Sequence, residues 1–301
     1  MEEQTQTTHT RSFHDKYYKL MLLLPVALLI LSFVYLGYFY AQTGDFINKD
    51  ISLTGGTSVT IYDKISASEL EQNLSSQLND IDTRAIYDIV TGEQKAIIVE
   101  TKSDGEQTKQ VLETYLGYNL TSENSSIEFT GSTLSESFYK QLLIAILLAF
   151  VFMSIVVFII FRTFVPSMAV ILSAFADIVM TLALVNFFEM KLSTAGIVAF
   201  LMLIGYSVDT DILLTNRLLK RHEGSLNQRI LGAFKTGITM TLTSIAAVVV
   251  SLFIVRSFSI VLTQIFSILL IGLLFDIINT WVTNVCILKW YVKYKEKKNA
   301  I

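Results

Sequence analysis

Six stretches of this 301-residue chain are long and apolar enough to cross a bilayer, and they constrain everything else the chain can become. A helix that spans the hydrocarbon core needs ~20 mostly apolar residues. Residues 20–40, 140–161, 167–188, 193–217, 236–255 and 259–288 meet that length. Lipid offers no partner to a backbone N–H or C=O, so each stretch must satisfy its own and is predicted to be helical. The chain is 52% hydrophobic and 16% charged, with a mean hydropathy of +0.54. A soluble chain carries ~25% charged residues. The first run is too long for a signal peptide and no small-residue cleavage site follows it. Cys286 is the single cysteine, which excludes an internal disulfide. The histidines His9, His14 and His222 are scattered, and no C-x-x-C, H-E-x-x-H or Walker-type glycine loop occurs. Metal hydrolases and P-loop motors are thereby excluded. No metal, cofactor or nucleic-acid partner is expected, and membrane lipids are the expected surroundings.

Lys and Arg in short loops set orientation. With the N-terminus inside, the cytoplasmic side receives Arg11, Lys16, Lys19, Arg162, Arg217, Lys220, Arg221, Arg229 and Lys235. It also receives Lys289, Lys293, Lys295, Lys297 and Lys298 of the tail. The short outer loops receive only Lys191 and Arg256. Both termini are therefore expected in the cytoplasm, with a tail at 1–19, a first span at 20–40, spans two to six within 137–288 and a basic tail at 289–301.

Residues 41–136 form one large outer insertion with 16 acids and 6 bases, a net charge of −10, while the rest of the chain carries +7. The sequons at Asn73, Asn119 and Asn124 all fall inside it, in keeping with an extracytoplasmic face. "ISLTGGTSVTIYD" reads as a strand pair or a strand kinked at Gly55–Gly56. Ser66 and Glu69 have capping-box spacing ahead of Leu70, Leu74 and Leu78. "RAIYDIV" and "KAIIVETK" read as strands around a turn at Thr91–Gly92, Asp104 opens a helix that Gly117 stops, and "SIEFTG" is a last strand. The predicted class is a multi-pass α-helical membrane protein: six transmembrane helices with an extracytoplasmic α+β domain, βαββαβ and ferredoxin-like, between helices one and two.

Four aspartates lie within the apolar stretches, where each costs ~2.5–3.5 kcal/mol to insert. They are Asp177 in span three, Asp209 and Asp211 in span four, and Asp276 in span six. Asp209 lies 16 residues beyond Ser193, the expected outer cap, or ~24 Å along the helix. Asp209 and Asp211 point ~200° apart. Gly205, Asp209, Ile212 and Asn216 share one stripe; Ser207, Asp211 and Thr215 share another. Thr210 sits between them. Buried carboxyls can load and release protons, so these acids are the candidate proton relay. Each can also be a helix-packing hydrogen bond, and Asn279 and Thr283 offer Asp276 a structural seam. Thr236, Thr239, Thr243 and Ser244 supply hydroxyls from span five. Lys235 and Arg217 are candidate counter-ions, or orientation anchors at the inner interface.

The pattern "TGGT" (Thr54, Gly55, Gly56, Thr57) just after a first span, followed by "IGYSVDTDILLTNRLLK", resembles the SecF family, a branch of the RND transporters. "FKTGITMTLTS" and "DIINTW" resemble its archaeal members. The resemblance covers essentially the whole chain. It implies pairing with a SecD-like subunit, association with the SecY translocon, and proton-driven pulling on a translocating polypeptide. Bacterial members place an acid where this chain has Thr210, and Asp209 falls where SecD-type sequences carry theirs. The resemblance thus leaves either Asp209 or Asp211 as the proton carrier. Other readings are an RND-type efflux or lipid transporter half, and a translocon scaffold without ion movement. An intramembrane aspartyl protease using Asp209 and Asp276 lacks its Gly-x-Gly-Asp and Pro-Ala-Leu elements, so no enzyme activity is expected.

Overall fold

A computed structural model of the chain describes residues 20–88, 91–220, 224–257 and 259–299. The N-terminal tail with Arg11, Lys16 and Lys19, and also Arg221, lie outside the described residues. Six helices are long and apolar enough to span a membrane. They are α1 (Leu23–Thr43), α5 (Ser132–Phe161), α6 (Phe164–Phe187), α7 (Thr194–Lys220), α8 (Leu226–Val255) and a sixth that begins as α9 (Ile260–Ile278). The sixth passes through a π-helical turn, Asn279–Asn284, into α10 (Val285–Asn299).

Several spans outrun their apolar runs. Arg162 adopts a left-handed conformation at the end of α5, and Thr163 in extended geometry opens α6. Pro166 lies in the first turn of α6, where its missing N–H costs nothing. Ser225 and Gln228 close a capping box that starts α8 well before residue 236. Helices α6 and α7 form the centre of the bundle, with more than half of their apolar windows buried, against 6% for α5 and 11% for α8. The outer helices leave long apolar faces uncovered, as a lipid-facing surface does.

The insertion folds as βαββαβ: β1 (Gly56–Ile61), α3 (Ala67–Leu74), β2 (Asp82–Tyr87), β3 (Gln94–Thr101), α4 (Gly105–Leu116) and β4 (Ser125–Thr130). The sheet is antiparallel throughout, in the order β2-β3-β1-β4. Val59, Ile61, Ile97 and Val99 on one sheet face meet Leu70, Leu74, Leu78 and Leu112 from the helix side. Asp104 accepts from the Glu106 N–H and Gly117 takes a left-handed conformation, so α4 starts and stops where its residues dictate.

Two local expectations change. Ile51–Thr54 is a short helix, α2, and not a strand, because Asp50 caps it by accepting from the Ser52 N–H. Ser66 makes no side-chain cap; its hydroxyl lies 3.2 Å from that of Ser68. The glycines between α2 and β1 are sterically required. Gly55 has φ 85° and a Cβ there would lie 2.5 Å from the Ser132 Cα. Gly56 has φ 150° and its Cβ would lie 2.4 Å from the Thr101 oxygen. Thr54 donates to the Asp50 carbonyl at 3.1 Å and Thr57 to the Ser103 carbonyl at 2.8 Å. Gly55 thus lets the chain pass directly against Ser132 at the start of α5.

The head is tied to one end of the bundle. The Leu192 N–H donates to the Asn48 carbonyl and the Asp50 N–H to the Leu192 carbonyl. Asn186, at the end of α6, donates to the Phe46 carbonyl at 2.8 Å and accepts from the Asn48 N–H. Lys191 reaches Asp82 at 3.4 Å and Asp80 at 3.6 Å. The Tyr87 N–H donates to the Ser257 carbonyl. At the opposite end Lys289, expected in a solvated tail, is fully buried, because α10 runs straight on from the bundle and carries it inward. Trp290 and Tyr294 stack on the exposed side of the same helix.

Candidate functional site

Three helices converge on a buried polar cluster at mid-bundle. Asp177 comes from α6, Ser207, Thr210 and Asp211 from α7, and Asp276 from α9. The π-helical turn adds Asn279, Thr280 and Asn284. All of these are buried, and the three carboxylic acids have no exposed surface. The wider π turn keeps Asp276, Thr280 and Asn284 turned toward α7 over two turns.

Each carboxyl is held by named donors. Ser207 donates to Asp177 Oδ2 at 2.5 Å and Asn279 Nδ2 to Asp177 Oδ1 at 2.7 Å. Asn284 Nδ2 donates to Asp211 Oδ1 at 2.7 Å. The Thr280 hydroxyl lies 2.9 Å from Asp211 Oδ1 and 3.1 Å from Asp276 Oδ1. The Thr210 hydroxyl lies 3.0 Å from the Ser207 carbonyl and 3.2 Å from Asp276 Oδ2. A hydroxyl has one hydrogen to give. Thr280 cannot donate to both carboxyls, nor Thr210 to both of its acceptors. A protonated Asp276 also has one hydrogen to give, so it completes one of these two second contacts at a time. Among the described residues no cation pairs with any of the three acids.

The structure brings Asp177, Thr210, Asp211 and Asp276 together and leaves Asp209 out. The stripe of Ser207, Asp211 and Thr215 faces inward, while Gly205, Asp209 and Asn216 are exposed. Asp209 lines a separate hollow of about 160 Å³ between α7 and α8, with Tyr206, Met240, Thr241, Ser244 and Leu273. Thr210 lines that hollow too and also touches Asp276, so it is the one side chain shared by the hollow and the cluster. Among the described residues Arg217 and Lys235 form no ion pair with these acids. Arg217 donates to Thr236 at 2.8 Å, and Lys235 lies exposed on α8. Thr239 and Thr243 bond their own helix backbone, and only Ser244 reaches the hollow. Asn279 does not serve Asp276 as a seam; it crosses to Asp177, with Thr283 3.5 Å from its side-chain oxygen. Thr280 and Asn284 escaped the sequence reading, which paired Asp276 with Asn279 and Thr283, although Asp276, Thr280 and Asn284 recur at four-residue spacing on one helix face. Their signal was the polar run Asn279-Thr280 and Thr283-Asn284 inside an apolar span.

Comparison with known proteins accords with this architecture. A family model described as protein export membrane protein SecD/SecF, C-terminal, matches residues 110–294. The protein-export membrane protein SecF of Methanolacinia petrolearia is 41% identical over 282 residues, covering 91% of this chain and 94% of that protein. That of Methanocaldococcus jannaschii is 40% identical over 289 residues, covering 94% and 99%. The crystal structure of SecDF from Thermus thermophilus, a translocon-associated membrane protein, superposes with a TM-score of 0.72 at 16% identity over 92% of this chain. This chain spans only 38% of that longer one, so the likeness speaks for the shared fold. Near-full-length identity to archaeal SecF proteins, the family-model match and the six-helix base with its ferredoxin-like head together show that the chain belongs to the SecF family of protein-export membrane proteins.

Proposed function

We propose that this chain is an accessory subunit of the Sec protein-export machinery. It pairs with a SecD-like subunit at the SecY translocon and couples proton passage through its buried carboxyls to work by the outer head on a translocating polypeptide. The names of its relatives support the export role. The observation that supports the coupling is three buried acids with no paired cation among the described residues, two of them, Asp211 and Asp276, bridged by the Thr280 hydroxyl, with Thr210 in contact with Asp276. A buried, unpaired carboxylate costs several kcal/mol, so a bundle that keeps three of them does best with protons on board.

The relay runs through atoms in contact. A proton entering the hollow beside Asp209 reaches Asp276 past Thr210. Asp276 donates to the Thr280 oxygen while the Thr280 O–H is given up to Asp211 Oδ1. Asp211 lies on the helix that leads to Arg217 and Lys220 at the far end. The same helices transmit the result. Asp177 and Asn186 are both on α6, nine residues and ~14 Å apart, and Asn186 holds the head's stem. A change of charge at Asp177 thus acts on the helix that anchors residues 46–48. The Lys and Arg bias supports a topology with both termini in the cytoplasm and the head outside.

One observation favours a scaffold instead: Ser207, Asn279, Thr280 and Asn284 would brace the helices even with no proton moving. Export of a secretory protein, followed in cells before and after collapse of the proton gradient, separates the two. Asp211→Asn and Asp276→Asn should assemble normally yet lose the gradient-dependent part of export. Normal gradient-dependent export from the double variant refutes coupling, and a defect equal with and without the gradient means the cluster is a brace.

A further inference from the structure

The head's sheet ends in two unequal edges. The β2 edge is guarded: its register shifts between Ile86 and Tyr87, Arg84 and Asp82 form an ion pair on it, and Tyr87 is tied to Ser257. The β4 edge has none of these. Its pairing with β1 runs unbroken from Gly56↔Thr130 to Ile61↔Ser125, and the strand contains no Pro, no Lys and no bulge. Natural sheets blunt their edges with such devices, so a regular edge left bare is a template for another strand.

The phase of the ladder says which groups are free. The Tyr62 N–H donates to the Asn124 carbonyl, so 62 and 124 form a hydrogen-bonded pair. Alternation then directs Ser126, Glu128 and Thr130 toward β1, and Ile127 and Phe129 point their N–H and C=O groups outward. Their side chains are exposed as well, Phe129 to 58%. The strand's other face, with Glu128 and Thr130, borders a cavity of about 420 Å³ between the underside of the sheet and the outer ends of α7 and α9. The cavity carries the carboxyls of Asp50, Glu100 and Glu128 and no basic side chain.

We propose that the free edge of β4 takes up an extended polypeptide as a fifth strand of the head's sheet. Its alternate side chains lie against Ile127 and Phe129 on one side and over the acid-lined cavity on the other. The inference rests on the export reading, which supplies an unfolded chain at this face of the membrane. Strand addition suits such a ligand because main-chain hydrogen bonds bind any sequence, while the flanking side chains set a preference. Here the preference is for apolar residues alternating with basic ones: the acids below favour cations, and the exposed Ile127 and Phe129 favour apolar contact.

The test uses the full chain in phosphatidylcholine nanodiscs. The probes are three labelled nine-residue peptides: valine alternating with lysine, valine alternating with glutamate, and the lysine peptide with its backbone N-methylated at alternate residues. Fluorescence anisotropy reads binding, and amide hydrogen exchange reads the site. The lysine peptide should bind and slow exchange at Ile127 and Phe129, and the glutamate and N-methylated peptides should bind about tenfold more weakly or worse. Ile127→Pro removes an outward N–H that the ladder does not use, so the head should keep its protection at Val59 and Ile97 while peptide binding falls about tenfold. Phe129→Lys, which puts a charge on the edge, should act the same way and stands in if the proline unfolds the strand. Equal binding of the N-methylated peptide, or undiminished binding to both variants, overturns the proposal. So does a photo-crosslinking residue at position 129 that captures a partner subunit and no arrested secretory chain. No gradient enters the binding assay, so Asp211→Asn should bind the lysine peptide normally. Normal export by the β4 variants alongside failed export by Asp211→Asn would sink the docking site and leave the export reading standing.

Discussion

Glu100 offers a measurement in which sign and size both follow from the structure. It lies on β3 over the cavity beneath the head, its side chain only 15% exposed, with Oε2 4.0 Å from Arg84 and without a hydrogen-bond partner among the described residues. Burial, reinforced by the nearby Asp50 and Asp82 carboxylates and opposed by Arg84 and Lys191, pushes its carboxyl from 4.5 up to about 7. An acid raised by folding weakens the fold once the unfolded chain can ionise it. Below pH 4.5 the group is protonated in both states and contributes nothing. Between 4.5 and 7 the unfolded state sheds its proton first and stability falls; above 7 the deficit is constant. The gap between 4.5 and 7 sets a ceiling of about 3 kcal/mol, and water entering the cavity reduces this to about 1–3 kcal/mol. Glu100→Gln keeps the shape and removes the ionisation. Amide hydrogen exchange at Val59, Ile97 and Val99 in the full chain, compared at pH 4 and pH 8, reports head stability directly. The variant should gain about 1–3 kcal/mol of protection at pH 8 and almost none at pH 4. A gain of equal size at both values, or none at pH 8, refutes the assignment.

Two further substitutions probe the bundle. Thr280→Val removes the hydroxyl between Asp211 and Asp276 without changing volume; it should abolish gradient-dependent export and lower stability by about 1–3 kcal/mol, read as the thermal midpoint in detergent. Unchanged export would take Thr280 out of the relay. Gly237→Ala places a Cβ 2.3 Å from the Trp281 ring and should push the indole away from α8, at a cost of about 1–3 kcal/mol seen in the same melt and as a change in tryptophan emission. An unaltered spectrum would mean the helices slide apart instead.

Helix α7 presents two unlike acidic faces. Its inward stripe meets hydroxyl and amide donors, and its opposite stripe carries Asp209 to an open face at membrane depth. A carboxyl on an exposed face within the hydrocarbon layer is costly unless water or a second protein covers it. In the proposed complex a SecD-like subunit is the natural cover.

Much of this protein is legible in its residues alone. Runs of ~20 apolar residues have one solution in lipid, so the number of helices and the place of the insertion followed from composition. The alternation in β1 and β3, the Asp104 cap and the Gly117 stop are local chemistry, and the head's order of elements was readable for that reason. The divergence of Asp209 and Asp211 was equally readable, being a consequence of helical pitch. Tertiary structure alone decided which stripe of α7 is buried, because both carry an acid and only the packing of α6 and α9 chooses between them. It also decided that Asp177 and Asp276 join Asp211, that the sixth span widens to bring in Thr280 and Asn284, and that Arg217 and Lys235 look elsewhere. The physical reason is range. Pitch, capping and hydropathy act within a few residues, whereas the carboxyl cluster is held by hydrogen bonds between residues 30 to 102 apart along the chain.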